Sequence, residues 1–123
     1  MTGDGVTSIV ETYLERMVAH DFGAMADCLA EDVVRVGPYG DTYTPRDTYV
    51  AMLAGLIPSL PGYAMEISRV LVMGDRLVVV ELSETVEIDG APLVTPEALI
   101  FDLDEAGLIA HIAIYIQTGA TPP

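Results

Sequence analysis

The chain contains no lysine, and that absence removes whole classes of chemistry. Schiff-base catalysis and a phosphate-binding P-loop both need an amine, so neither is available. Basic residues are few in general: Arg16, Arg35, Arg46, Arg69 and Arg76 stand against nineteen acidic side chains, for a formal net charge of −14. Such a surface repels phosphate backbones and anionic lipid, which argues against nucleic acid and membrane as partners. Cys28 is the only cysteine, so no intrachain disulfide and no thiolate metal cluster can form. Among apolar neighbours it reads as a small core residue rather than a reactive thiol. His20 and His111 lie far apart in sequence and do not suggest a metal pair. Neither G-x-S-x-G nor G-x-G-x-x-G is present. No apolar run approaches the roughly 18 residues of a membrane span. The opening "MTGDGVTSIVE" has no basic region leading into an apolar stretch, so the expectation is a cytoplasmic protein.

What is present is apolar and patterned. Hydrophobic residues make up 51% of 123 residues, enough for one folded domain spanning 1–123. Val6, Ile9, Val10, Tyr13, Leu14 and Met17 recur at helical spacing and predict an amphipathic helix over about residues 5–19, which His20 would close. Asp21 then caps a short helix carrying Met25, Cys28 and Leu29. "DVVRVGPYG" reads as a strand stopped by Gly and Pro. In "TPRDTYVAMLAGL", Thr44 is placed to cap a third helix with Pro45 in its first turn. The second half reads as four strands separated by the turn signals "GD", "DGAP" and "EAG", pairing as an antiparallel meander. A "TGATPP" tail closes the chain. Three helices followed by a curled antiparallel sheet make an α+β fold.

In the last strand both alternations are apolar: Ala110, Ile112, Ile114 and Ile116 on one side, Ile109, Ala113 and Tyr115 with His111 and Gln117 on the other. A sheet wetted on one face does not need that. One face should meet helices or a pocket and the other a second subunit, which predicts a homodimer through the sheet.

Two segments, "YLERMVAHDFGAMADCLAEDVVRVGPYG" and "ALIFDLDEAGLIAHIAIYI", carry a resemblance to the NTF2-like superfamily of α+β cone proteins (the cystatin-like cone). Within it the chain is similar to the SnoaL-like and ketosteroid-isomerase-like branch. The first segment follows that branch's helix, short helix, "A-[DE]-D" and strand; the second follows its "D-E-x-G-x-I" hairpin. The resemblance implies three N-terminal helices packed on a curved antiparallel sheet. It implies a cone-shaped pocket for a small hydrophobic ligand such as a polyketide, terpenoid or steroid-like compound, with no cofactor and no metal. Fold alone does not fix the chemistry. In ketosteroid isomerases a helix tyrosine, a strand aspartate as base and a second oxyanion donor act together. Aligned without gaps, these fall on Tyr13, Gly37 and Leu99, so the base and the second donor are absent. In limonene-epoxide-hydrolase-like members the working positions fall on Arg35, Gly37, Glu84, Leu82 and Ile114, where an acid survives only at Glu84.

The remaining candidates follow from strand alternation. In "RLVVVELSETVEI", Glu84 shares a face with Val78, Val80, Leu82, Val86 and Ile88. A carboxylate among aliphatics suits a general acid or base unless a cation pairs with it; the alternative is a scaffold residue bonded to an arginine. Arg35 shares a face with Val33 and Gly37 and is placed either to hold a ligand oxygen or to neutralise Glu84 or Glu97. Glu97 sits in step with Leu99 and Phe101, facing the cavity or its rim. Tyr13 is a core residue or an oxyanion donor. Ile112, Ile114 and Tyr49 complete the expected ligand wall, while His111 falls on the opposite alternation. Two functions from different classes fit: an isomerase, cyclase, dehydratase or hydrolase using Glu84 and Tyr13, or a binding or interaction module without turnover.

Overall fold

Helix α1 (Thr2–Val18) forms where the apolar stripe recurs. It buries Val10, Tyr13, Leu14 and Met17 to 6% exposure or less. The computed structural model describes the backbone of residues 2–117; the "TGATPP" tail lies outside the described residues. His20 closes α1 in the left-handed region, with φ of 60°. Asp21 then caps α2 (Phe22–Ala26) by accepting from the Ala24 amide at 3.3 Å. This helix is shorter than its apolar pattern predicts. Cys28 and Leu29 are drawn out of it by sheet pairing: the Ile109 amide bonds the Cys28 carbonyl at 2.9 Å, and Leu29 opens β1 (Leu29–Val36) opposite Ile109.

A two-residue strand, β2 (Thr42–Tyr43), leads into α3 (Arg46–Leu56). The expected cap at Thr44 is not made. Pro45 is itself extended, at φ −76° and ψ −163°, so the helix starts only after it, and no side chain closes its first turn. A single 3-10 turn, Ile57–Ser59, follows.

The meander forms as the turn signals predict, with β3 (Ala64–Met73), β4 (Leu77–Ile88), β5 (Ala91–Leu103) and β6 (Ile109–Ile116) paired antiparallel in succession. The sheet order is β2-β1-β6-β5-β4-β3, curved and unclosed. All pairs are antiparallel except β1 with β6, which run parallel and bring the first strand to the last.

One irregularity decides which side chains reach the helices. Arg69 faces Glu81, but Ile67 faces Leu82 and Met65 faces Glu84, so Ser68 is an extra residue in β3. A one-residue bulge reverses the alternation beyond it. Met65 and Ile67 thereby join the face of Leu82 and Glu84, and Tyr63 follows in step. Between sheet and helices lies the core, in which Val78, Val80, Phe101, Ile109 and Ile112 are fully buried. The Phe101 ring meets Tyr13 edge-on, with centroids 5.8 Å apart.

Candidate functional site

The apolar row of β4 runs Val78, Val80, Leu82 and then reaches Glu84 on the helix side. On β5, Glu97 is the register partner of Leu82 and so stands diagonal to Glu84, a separation long side chains can bridge. The two carboxyl groups are near enough to bear on each other's ionisation. Burial first, then Glu84, pushes the Glu97 carboxyl up to about 9, against a smaller opposing pull from Arg35. Two neighbouring carboxyls in a partly dry site cannot both ionise easily, and here the proton stays on Glu97. Tyr63 donates its hydroxyl hydrogen bond to Glu84 Oε2. Burial and the charge of Glu84 hold that phenol far above its ordinary value.

A second hydrogen-bonded pair lies above the first strands. Tyr13 from α1 and Tyr49 from α3, both 1% exposed, join their hydroxyl groups. Burial raises Tyr49 to about 12 and lifts Tyr13 well above the usual tyrosine range. Both phenols therefore keep their protons; one is used in the bond between them, and the other can be donated to a developing oxyanion.

Arg35 joins neither glutamate. Its Nη1 bonds Asp41 Oδ2 at 2.7 Å, and the guanidinium lies 5.7 Å and 5.9 Å from the ring centroids of Tyr43 and Tyr49. Gly37 makes room for this pairing: a Cβ there would stand 2.5 Å from Arg35 Nη1 and from both Asp41 carboxylate oxygens. The position where the isomerase base would sit is thus taken up by an ion pair. Gly37→Asp should install no base and should instead destabilise the fold by about 1–3 kcal/mol through overpacking, measured by urea unfolding.

These groups surround an enclosed cavity of about 150 Å³. Glu84, Glu97, Arg35, Tyr13 and Tyr49 supply its polar lining; Leu99, Ile114, Met65 and Leu53 are among its apolar walls. A cavity of that size holds roughly one aromatic ring. Leu14 and Met65 also line a neighbouring open groove of about 320 Å³ that runs past Val18 and Ile67. A wider hollow, about 510 Å³, is an open trough on the outer sheet face near Ser83, Pro96 and Tyr115. Of its two carboxyl groups, Glu81 is tied to Arg69 at 2.7 Å and Glu97 is shared with the smaller cavity, where Glu84, Tyr13 and Tyr49 join it, so the smaller cavity is the chemical candidate.

Of the residues expected from sequence, Tyr13, Arg35, Tyr49, Glu84, Glu97, Leu99 and Ile114 line the cavity together. Gly37 does not line it; it packs under the Arg35–Asp41 pair. Ile112 is wholly buried opposite Phe101 and is not a lining residue either. Glu97 lies in the cavity lining beside Glu84 and also borders the open trough on the outer sheet face. His111 faces away, 3.8 Å from Asp102. The residue sequence reasoning undervalued is Tyr63, whose bond to Glu84 depends on the Ser68 bulge.

A family model described as a SnoaL-like domain matches residues 10–112. No curated protein matches the chain. Among solved structures, an NTF2-like protein of unknown function from Burkholderia xenovorans superposes with TM-score 0.79 at 21% identity, covering 100% of this chain and 91% of that one. A protein of ketosteroid isomerase-like fold from Catenulispora acidiphila, in complex with trimethylamine, gives TM-score 0.75 at 21% identity over 87% of this chain and 83% of its own. An epoxide hydrolase of M. tuberculosis, similar to limonene epoxide hydrolase, gives 0.79 at 18% identity over 92% and 83%. At such identities these likenesses show the fold.

Proposed function

The chain belongs to the SnoaL-like domain family, and from that footing we propose that it is a cofactor-free acid–base enzyme acting on a small, mostly apolar molecule held in the cone. The observation that carries this reading is that Glu84 and Glu97 line one small cavity side by side, where burial and Glu84 push the Glu97 carboxyl up to about 9. Glu84 is the proton acceptor and Glu97 the donor. The hydrogen-bonded Tyr13–Tyr49 pair donates its free proton to the oxygen on which charge develops, and Arg35 orients the ligand. Such a set serves an isomerase, a cyclase, a dehydratase or a hydrolase. The cavity's size supports a reacting portion of about one ring, well under the roughly 300 Å³ of a drug-sized site. A polyketide, terpenoid or steroid-like substrate would extend past Leu14 and Met65 into the adjoining groove.

A second reading, ligand binding without turnover, draws on Gly37 and Leu99, which stand where the isomerase base and second donor would be. An interaction module with no ligand fits less well, since it calls for a filled cone. We further read the protein as a cytoplasmic homodimer through the outer sheet face, a reading supported by the exposure of Leu71, Met73, Val94 and Tyr115. Among the described residues no helix is long and apolar enough to cross a membrane.

Thermal stability of wild type and Glu84→Gln, measured against phenols, aromatic polyketides, terpenoid epoxides and steroids, tests the proposal. A ligand of the folded state raises the melting temperature as RT ln(1 + [L]/Kd). A compound class that stabilises both proteins, and is converted only by wild type, is the expected result. Stabilisation without conversion by either protein would favour the binding module.

A further inference from the structure

The Arg35 guanidinium and the Glu84–Glu97 pair line the same small cavity, yet they do not join. Arg35 is held instead by a loop. The Gly37 amide bonds the Asp41 carbonyl at 2.8 Å, and the Gly40 amide bonds the Gly37 carbonyl at 3.0 Å, closing residues 37–41 into a tight turn. Within it Asp41 divides its carboxylate: Oδ1 accepts from the Tyr39 amide at 3.3 Å and Oδ2 from Arg35 Nη1 at 2.7 Å. The bare Cα of Gly37 admits both partners. Held this way, the guanidinium keeps one buried nitrogen, Nε, without a hydrogen-bond partner. Arginine seeks carboxylates, and the carboxyls that share the cavity lining with it are Glu97 and Glu84.

We propose that Asp41 is a positioning residue: by fastening Arg35 to the loop at residues 37–41, it keeps the cavity's only cation from joining the Glu84–Glu97 pair, so that the pair remains a proton donor and acceptor. Were Arg35 free to reach them, it would form a salt bridge with both glutamates and strip the proton from Glu97. The groups facing Glu97 support this. From β4 comes Glu84, from the approach to β3 Tyr63, from α1 Tyr13, from α3 Tyr49 and from β1 Arg35, while β6 offers Ile114. Arg35 is the single positive charge among them. The relevance to catalysis rests on the acid–base reading above; the electrostatics do not.

The test is a carboxyl-carbon NMR titration of Glu97 in wild type, Asp41→Asn, Arg35→Gln and the double variant, each checked for native dispersion. Asp41→Asn should lower the Glu97 midpoint by at least about one pH unit, as a new cation contact does. Gly37→Ala, which drives a Cβ into the same ion pair, is an independent second route to the same drop. Removing the Asp41 charge in the Arg35→Gln background should have little effect. An unchanged or higher midpoint in Asp41→Asn, or an equal drop without Arg35, overturns the proposal. Because the readout needs no substrate, a catalytically inert protein that titrates this way would sink the acid–base function and leave the role of Asp41 standing.

Discussion

Glu97→Gln should raise the melting temperature at pH 8 while lowering turnover by about two to four orders of magnitude, the usual contribution of a positioned acid or base. The stability half follows from linkage. In the folded protein the Glu97 carboxyl is raised to about 9, chiefly by burial and by Glu84, whereas in the unfolded chain it ionises in the ordinary glutamate range. Between those two values the folded state holds a proton that the unfolded state has released. Stability is therefore complete below the ordinary glutamate value and declines as pH rises toward 9. Glutamine resembles the protonated acid and cannot ionise, so its advantage should be absent near pH 4 and grow steadily up to about pH 9. Melting curves across that range check it; a constant offset, or a gain that shrinks with rising pH, would contradict the assignment. The activity half comes from losing the donor, and Glu84→Gln should match it in size by losing the acceptor. Wild-type turnover should fall as pH passes through about 9, where Glu97 gives up its proton.

Phe101→Ala should remove about 3–5 kcal/mol of stability, the range for deleting a buried phenylalanine. Phe101 is fully buried on β5, between Val78 of β4 and Ile112 of β6, and its ring supports Tyr13 edge-on. Its neighbours belong to two flanking strands and a helix, so the void cannot close by moving one of them. Against a typical total of about 5–15 kcal/mol, the loss should lower the melting temperature by about 10–20 °C. Leu93→Ala is the matched control: Leu93 is 53% exposed, and its removal should stay within about 0.5 kcal/mol. Because Phe101 supports Tyr13, the larger variant should also lose ligand affinity at temperatures where it remains folded.

The parts of this architecture that could be read from sequence are those set by short-range periodicity. The stripe from Val6 to Met17 specified α1, and three turn signals specified the meander. Alternation along β4 was enough to turn Glu84 inward among valines and leucines. Contacts between distant segments were not legible in the same way. Nothing local announces that β1 lies parallel beside β6, or that Arg35 meets an aspartate six residues on in place of a glutamate across the sheet. Tyr63 shows the difficulty most clearly. Counting back from the "GD" turn, regular pairing would set Met65 opposite Thr85 and turn it outward; the extra residue at Ser68 sets it opposite Glu84 instead. The Tyr13–Tyr49 hydrogen bond likewise depends on how α1 and α3 dock, which their own residues do not state.

The Ser68 bulge has a further effect at the rim of the sheet. Strand β3 is one of its two outermost strands and runs for ten residues, a long row of backbone donors and acceptors open to any passing chain. A foreign strand adding there would have to match a register that breaks between Ile67 and Arg69, and would meet the charged Arg69–Glu81 pair at the break. Bulges and charges at an outer strand are what prevent edge-to-edge growth into aggregates. The same additional residue that brings Tyr63 to Glu84 thus also guards the protein against polymerising through its own border.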